Sequence, residues 1–178
     1  CAAVPLRLRG NGMEYTQLGE SGLKVSRVCL GCLGFGKPTA RHPWALGEEE
    51  SERILSRAAE LGVNFFDTAM SYAEGASESF LGKALKKLTR REETVIATKF
   101  SPRSEQEIAE GIGGRAHVLN CLEGSLKRLD TDYVDLYILH MWDYRTPVEE
   151  LMEGLAEAVR QGKARAVGVS NCYAWQLM

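Results

Sequence analysis

The 178-residue sequence has no apolar run near the roughly 20 residues a membrane-spanning helix needs. Its opening stretch, Cys1-Ala2-Ala3-Val4-Pro5-Leu6-Arg7-Leu8-Arg9, lacks the long apolar core of a secretory signal. Neither sign of charge dominates. The formal net charge is −2, which excludes a general attraction for nucleic acid or acidic lipid. Five cysteines are an odd number at spacings that form no disulfide framework. A cytoplasmic location follows. Residues 1–12 read as an extension outside the folded unit, with Met13 a natural start. Low-complexity tracts, internal repeats and flexible linkers are missing too, so residues 13–178 read as one domain.

What is present is ordinary in bulk and specific in order. Hydrophobic content of 44% and charged content of 26% suit a soluble globular core. Tyr15–Leu18 and Leu23–Ser26, joined through Gly19-Glu20-Ser21-Gly22, predict a β-hairpin. Val28 to Leu33 predicts a buried strand, and Gly34 to Gly47, with Pro38 and Pro43, a loop. Glu48-Glu49-Glu50 opens a helix whose buried stripe is Ile54, Leu55, Ala58 and Leu61, ended by Gly62. A second helix starts near Ser77, with Phe80, Leu81, Ala84, Leu85 and Leu88 on one side. A third carries Leu119, Leu122, Leu126 and Leu129. Thr146-Pro147-Val148-Glu149 predicts a capping box before a fourth helix with Leu151, Leu155 and Val159 inward.

Four apolar strands alternate with these helices, and each stops on a polar residue: Asp67, Lys99, His140 and Ser170-Asn171. Asp67, Lys99, His140 and Ser170 are successively 32, 41 and 30 positions apart, one strand plus one helix each. That order predicts a parallel sheet covered by helices. No G-x-G-x-x-G opens a helix after the first strand, which favours a (β/α)₈ barrel over an open dinucleotide-binding sheet. A barrel needs roughly 250 residues, so about five of its eight units are expected here. Its first and fifth strands would be unpaired edges, through which copies could associate.

Reacting groups in such folds gather at the carboxyl ends of the strands. Tyr72 lies five residues past Asp67. A phenol is a poor acid at neutral pH, and a nearby ammonium favours its ionised form. Lys99 can supply the ammonium, Asp67 can hold it, and His140 can donate to an oxygen gaining negative charge. The set would protonate a carbonyl oxygen while hydride reaches its carbon. No side chain supplies hydride, so a nicotinamide cofactor is implied. Taken singly, Asp67–Lys99 could be a structural ion pair, His140 a core histidine and Tyr72 a loop aromatic. Cys29-Leu30-Gly31-Cys32 matches C-x-x-C, but residues three apart on a strand face opposite ways, which opposes a redox pair. No metal site is expected: no second ligand pair completes a zinc site, and His140 has no histidine companion at the strand ends.

The segments Gly62-Val63-Asn64-Phe65-Phe66-Asp67-Thr68-Ala69, Tyr72, Gly75-Ala76-Ser77-Glu78, Leu81-Gly82-Lys83-Ala84-Leu85, Ala97-Thr98-Lys99, Asp132-Tyr133-Val134-Asp135-Leu136-Tyr137, Leu139-His140 and Gly168-Val169-Ser170-Asn171 together resemble the aldo-keto reductase superfamily. His140-Met141-Trp142-Asp143 resembles its bacterial, aryl-alcohol-dehydrogenase-like branch. The resemblance implies an NADPH-dependent reductase of aldehydes or ketones. Tyr72 is then the general acid, Lys99 tunes it, Asp67 orients the lysine and His140 places the carbonyl. Ser170 and Asn171 match positions that bind the nicotinamide carboxamide, and Gly31, Cys32 and Leu33 a strand end that touches the cofactor. Asp67 belongs to both sets. Trp44, Trp142 and the loop from Gly34 to Gly47 are candidates for the substrate pocket, ordinary loop packing being the alternative. Ala73 replaces a common glycine, a mild change, and Cys32 stands where threonine is frequent. The rival functions are a non-catalytic nicotinamide-binding regulatory subunit and an inactive truncated fragment.

Overall fold

The computed structural model describes residues 12–38 and 42–178. The extension expected at 1–12 lies outside the described residues except for Gly12. The hairpin forms as β1 (Tyr15–Gln17) and β2 (Lys24–Ser26), paired antiparallel. A five-stranded parallel sheet follows: β3 (Cys29–Gly31), β4 (Phe65–Asp67), β5 (Val95–Phe100), β6 (Val134–Leu139) and β7 (Ala164–Val169), in that spatial order. Helices α1 (Glu48–Glu60), α2 (Ala76–Leu88), α4 (Gly114–Leu129) and α5 (Val148–Arg160) alternate with the strands. Short helices α3 (Glu105–Ala109) and α6 (Ala174–Leu177) complete the order.

Strand alternation divides the sheet into two faces. Phe66, Ile96, Phe100, Tyr137 and Leu139 point toward the helices and form one core with Leu81, Leu85, Leu122, Leu126, Leu151 and Leu155. Phe65, Val95, Leu136 and Ala166 line the other face, where Leu23 and Val25 of the hairpin cover them. Asn64 fixes the hairpin. Its side chain accepts from the Ser26 N–H at 2.6 Å and donates to the Lys24 carbonyl at 3.0 Å. The hairpin thus closes the amino-terminal end of the strands and leaves their carboxyl ends open. The register aligns Gly31 with Asp67, Asp67 with Ala97, and Lys99 with Ile138, so the polar strand ends stand side by side.

Three expectations need correction. The stretch Val28 to Leu33 is less buried than its apolar sequence predicts: Val28 is 55% and Leu33 45% exposed, and only Cys29–Gly31 pairs as a strand. Ile54, Leu61 and Val159 are also exposed, because the buried arc of each helix is narrower than its apolar stripe. Helix α5 starts where expected, but without the capping box. The Thr146 hydroxyl donates instead to Asp143, and Glu150 accepts from the Gly114 N–H at the start of α4.

Candidate active site

Lys99 carries the site. It leaves β5 on the inner face and is 7% exposed. An ammonium has three protons. Here they find the Asp67 carboxylate, with both oxygens 2.7 Å away, the Thr68 carbonyl at 2.9 Å and the Tyr72 hydroxyl oxygen at 3.1 Å. The neighbouring carboxylate offsets the cost of withdrawing the ammonium from water. Because the Tyr72 oxygen accepts from Lys99, its own proton points elsewhere.

Tyr72 reaches Lys99 through an unusual turn. Ala73, Glu74 and Gly75 have φ of 48°, 56° and 88°, three successive left-handed residues. Only glycine adopts this region without cost. Ala73 therefore holds a strained conformation, and its substitution for glycine is less mild than the sequence suggests.

The His140 ring meets the Tyr72 ring edge to face, with centroids 5.6 Å apart. Burial, and then the Lys99 ammonium, push the His140 imidazole below its usual range, while Asp67 acts the other way. The neutral ring that results carries one N–H donor. Ser71 Oγ lies 3.4 Å from Nδ1.

Asn171, also left-handed at φ 52°, donates to the His140 carbonyl at 2.8 Å and to Ser170 Oγ at 3.1 Å. Among the described residues, the Asn171 side-chain amide oxygen and the Ser170 hydroxyl proton have no hydrogen-bond partner. One acceptor beside one donor matches a carboxamide, so these two residues fit a nicotinamide amide. Gly31 faces open space next to Asp67, since a Cβ there would meet nothing within 4 Å.

The structure does not bring every candidate to this mouth. Cys32 is fully buried in the helix-facing core. Its N–H donates to the Asp67 carbonyl and its carbonyl accepts from Ser77, so neither its thiol nor its backbone is presented to the cavity. Leu33 is half exposed just beyond. Trp142 lines a groove of about 360 Å³ with Leu139, Leu151 and Val169, on the helix side of the sheet. Trp44 is 53% exposed and packs edge-on against His42. Sequence reasoning gave no role to Thr68, Ser71, Ser77 or Glu78. Thr68 and the Ser77-Glu78 pair, each inside a recognised motif, carried a signal, and Ser71 did not.

The aldo/keto reductase family profile matches residues 27–178. Versiconal hemiacetal acetate reductase of Aspergillus parasiticus is 42% identical, over 92% of this chain and 52% of that protein. Aldo-keto reductase YhdN of Bacillus subtilis is 38% identical, over 89% of this chain and 47% of its own length. The solved holo form of aldo-keto reductase AKR11C1 from Bacillus halodurans superposes with a TM-score of 0.74 at 36% identity, covering 89% of this chain and 50% of that one. This solved relative is a TIM barrel, and the five-stranded parallel sheet corresponds to part of its barrel. The chain spans about half the length of the relatives it matches, and it belongs to the aldo/keto reductase family.

Proposed function

We propose that this chain carries the proton-transfer centre of an NADPH-dependent reductase that converts aldehydes or ketones to alcohols. The observation that carries the reading is the lysine with all three donors engaged. Lys99 fixes the phenolic oxygen, so the one remaining proton of Tyr72 is presented to an incoming carbonyl. As that proton leaves, the ammonium stabilises the negative charge left on the phenolic oxygen. Asp67 and the Thr68 carbonyl keep the ammonium in place. The neutral His140 ring donates to the carbonyl oxygen and holds it at the phenol. Ser170 and Asn171 would hold the carboxamide of the nicotinamide, and Gly31 leaves room beside Asp67. The nicotinamide, when bound, supplies the hydride that the side chains cannot.

The choice of NADPH rests on the family resemblance and is tested by comparing turnover with NADPH and NADH. A cytoplasmic site of action suits the four described cysteines, all free thiols. Among the described residues, no helix is long and apolar enough to cross a membrane.

Replacing Tyr72 with Phe keeps the ring and removes the acid. General acid catalysis contributes about 10²–10⁴-fold, so Tyr72→Phe should lower kcat by roughly 100-fold or more. Nucleotide affinity should be unchanged. Wild-type turnover in the Phe variant would remove the acid role.

A further inference from the structure

Behind the Lys99 centre, on the helix side of the sheet, lies a second charged cluster that touches none of the reacting atoms. Glu78, in the first turn of α2, is fully buried. Its carboxylate accepts from the Thr98 hydroxyl at 2.5 Å and from Arg128 Nε at 2.6 Å. Thr98 directly precedes Lys99 on β5 and points to the opposite face. Arg128, on α4, also donates to Ser125 Oγ at 3.3 Å. A Cβ added to Gly75 would lie 2.5 Å from Arg128 Cδ and 2.8 Å from its Nε. The arginine stem is thus the floor on which the left-handed turn after Tyr72 rests. The platform is rigid: at Gly82, α2 approaches the Leu129 backbone of α4 too closely for any side chain.

Ser77 fixes the same turn from the other side. Its hydroxyl donates to the Cys32 carbonyl at 2.7 Å and sits 2.8 Å from Thr68 Oγ1. The Thr68 carbonyl is itself one of the three acceptors of Lys99. The dipeptide after the Tyr72 turn is therefore bonded to the ends of three strands, β3 and β4 through Ser77 and β5 through Glu78. A buried carboxylate held by one arginine and one hydroxyl is costly to keep unless its geometry is good. The three left-handed residues above it need a fixed support to persist.

We propose that Glu78, bridging Thr98 and Arg128, is a positioning residue. It locks the Tyr72 turn to the Lys99 strand and so sets the phenol–ammonium distance. The inference rests on the reductase reading for its consequence in catalysis, but its geometric part stands apart from that reading. A pair that serves only stability would lower the unfolding midpoint and leave the turnover of folded protein intact.

The test compares wild type with Glu78→Gln, Thr98→Val, Arg128→Ala and Arg128→Lys in NADPH-dependent reduction of a nitrobenzaldehyde. Amide hydrogen exchange over residues 71–76 is measured on the same proteins. Displacing a reacting group by an ångström costs on the order of 100-fold, so Glu78→Gln should lose about tenfold or more in kcat. Its KM should stay within about twofold, since no substrate contact is removed. Exchange across the turn should accelerate. Arg128→Lys should recover part of what Arg128→Ala loses. Thr98→Val, which deletes one hydroxyl and keeps the ion pair, should lose less in the same direction, and it decides the matter if Glu78→Gln does not fold. Unchanged kcat, or unchanged exchange over the turn, would overturn the proposal. A wild-type protein that fails to reduce the carbonyl would sink the reductase reading instead, and the exchange comparison would still judge the clamp.

Discussion

The methyl group of Ala73 occupies the space that a side chain at Gly36 would need: a Cβ built on Gly36 collides with the Cβ of Ala73. The loop after β3 and the turn that carries Tyr72 are therefore in direct contact. Their contact is paid for by a left-handed alanine at φ 48°. Gly36→Ala should push the two loops apart and destabilise the fold by about 1–3 kcal/mol. Ala73→Gly should act the other way. It removes a left-handed cost of about 1–2 kcal/mol and adds roughly 0.5–1 kcal/mol of chain entropy, for a net gain of up to about 1.5 kcal/mol. Urea midpoints of the two variants check both signs, and a less stable Ala73→Gly would contradict the strain argument.

The Lys99–Asp67 pair is the most exacting electrostatic feature of the mouth. The lysine side chain is 9% exposed and the carboxylate 30%. Asp67→Asn keeps the shape and leaves a nearly buried ammonium without its counter-charge. Breaking a fully buried pair costs about 3–5 kcal/mol, and the partial exposure of Asp67 reduces this to an expected 1–3 kcal/mol. The loss should appear in the urea midpoint, together with a fall in kcat. A variant as stable as wild type would mean that Thr68 and Tyr72 alone suffice to hold the ammonium.

Much of this arrangement was legible in the sequence. Alternating strand and helix patterns place Asp67, Lys99 and His140 at strand ends, and residue chemistry suggests what they do together. Side-chain direction was harder to read. Cys32 and Trp142 lie within two residues of site residues in sequence, yet Cys32 turns into the helix-facing core and Trp142, past the end of β6, lines a groove on the helix side. Which face of a strand is inward depends on neighbours far away in the chain. The left-handed turn after Tyr72 was hidden for a related reason. Ala73 and Glu74 have no intrinsic preference for φ above zero, and the tertiary contacts around them, Ala73 against Gly36 and Gly75 against Arg128, join segments far apart in the chain. Helix faces misled in the opposite direction: Ile54, Leu61 and Val159 continue an apolar stripe beyond the arc that finds a partner.

The Cys29/Cys32 pair should behave as two separate thiols of low reactivity, not as a redox pair. Cys29 is exposed, yet partial desolvation, and then the Asp67 charge, raise it to about 11, with Lys99 opposing. Cys32, more deeply buried, is pushed still further up. The thiolate is the reactive species, so buried Cys32 should resist iodoacetamide at pH 8 in the folded chain, exposed Cys29 should react slowly, and both should react readily once it is denatured. Mass spectrometry of alkylated peptides would follow each site. Rapid native labelling of Cys32 would show that the core around it opens readily.

Acid sensitivity should arise at Glu107, beyond the end of β5. Burial alone would raise this carboxyl. Hydrogen bonds from the Ser104 N–H and hydroxyl, at 2.8 and 2.7 Å, and from His117 at 2.8 Å outweigh it and hold the group at about 2 against an ordinary 4.5. A group whose folded pKa lies below its unfolded one stabilises the fold fully above the unfolded value. That contribution fades as pH falls from about 4.5 toward about 2. Glu107→Gln should therefore be less stable than wild type at pH 7, and the gap should narrow at pH 3. The contact matters to the site because His117 also donates from Nε2 to the Ser101 carbonyl at 2.8 Å, two residues past Lys99. Losing Glu107 would loosen the segment that leaves the catalytic strand. A stability gap of equal size at both pH values would show that the carboxylate's charge contributes nothing there.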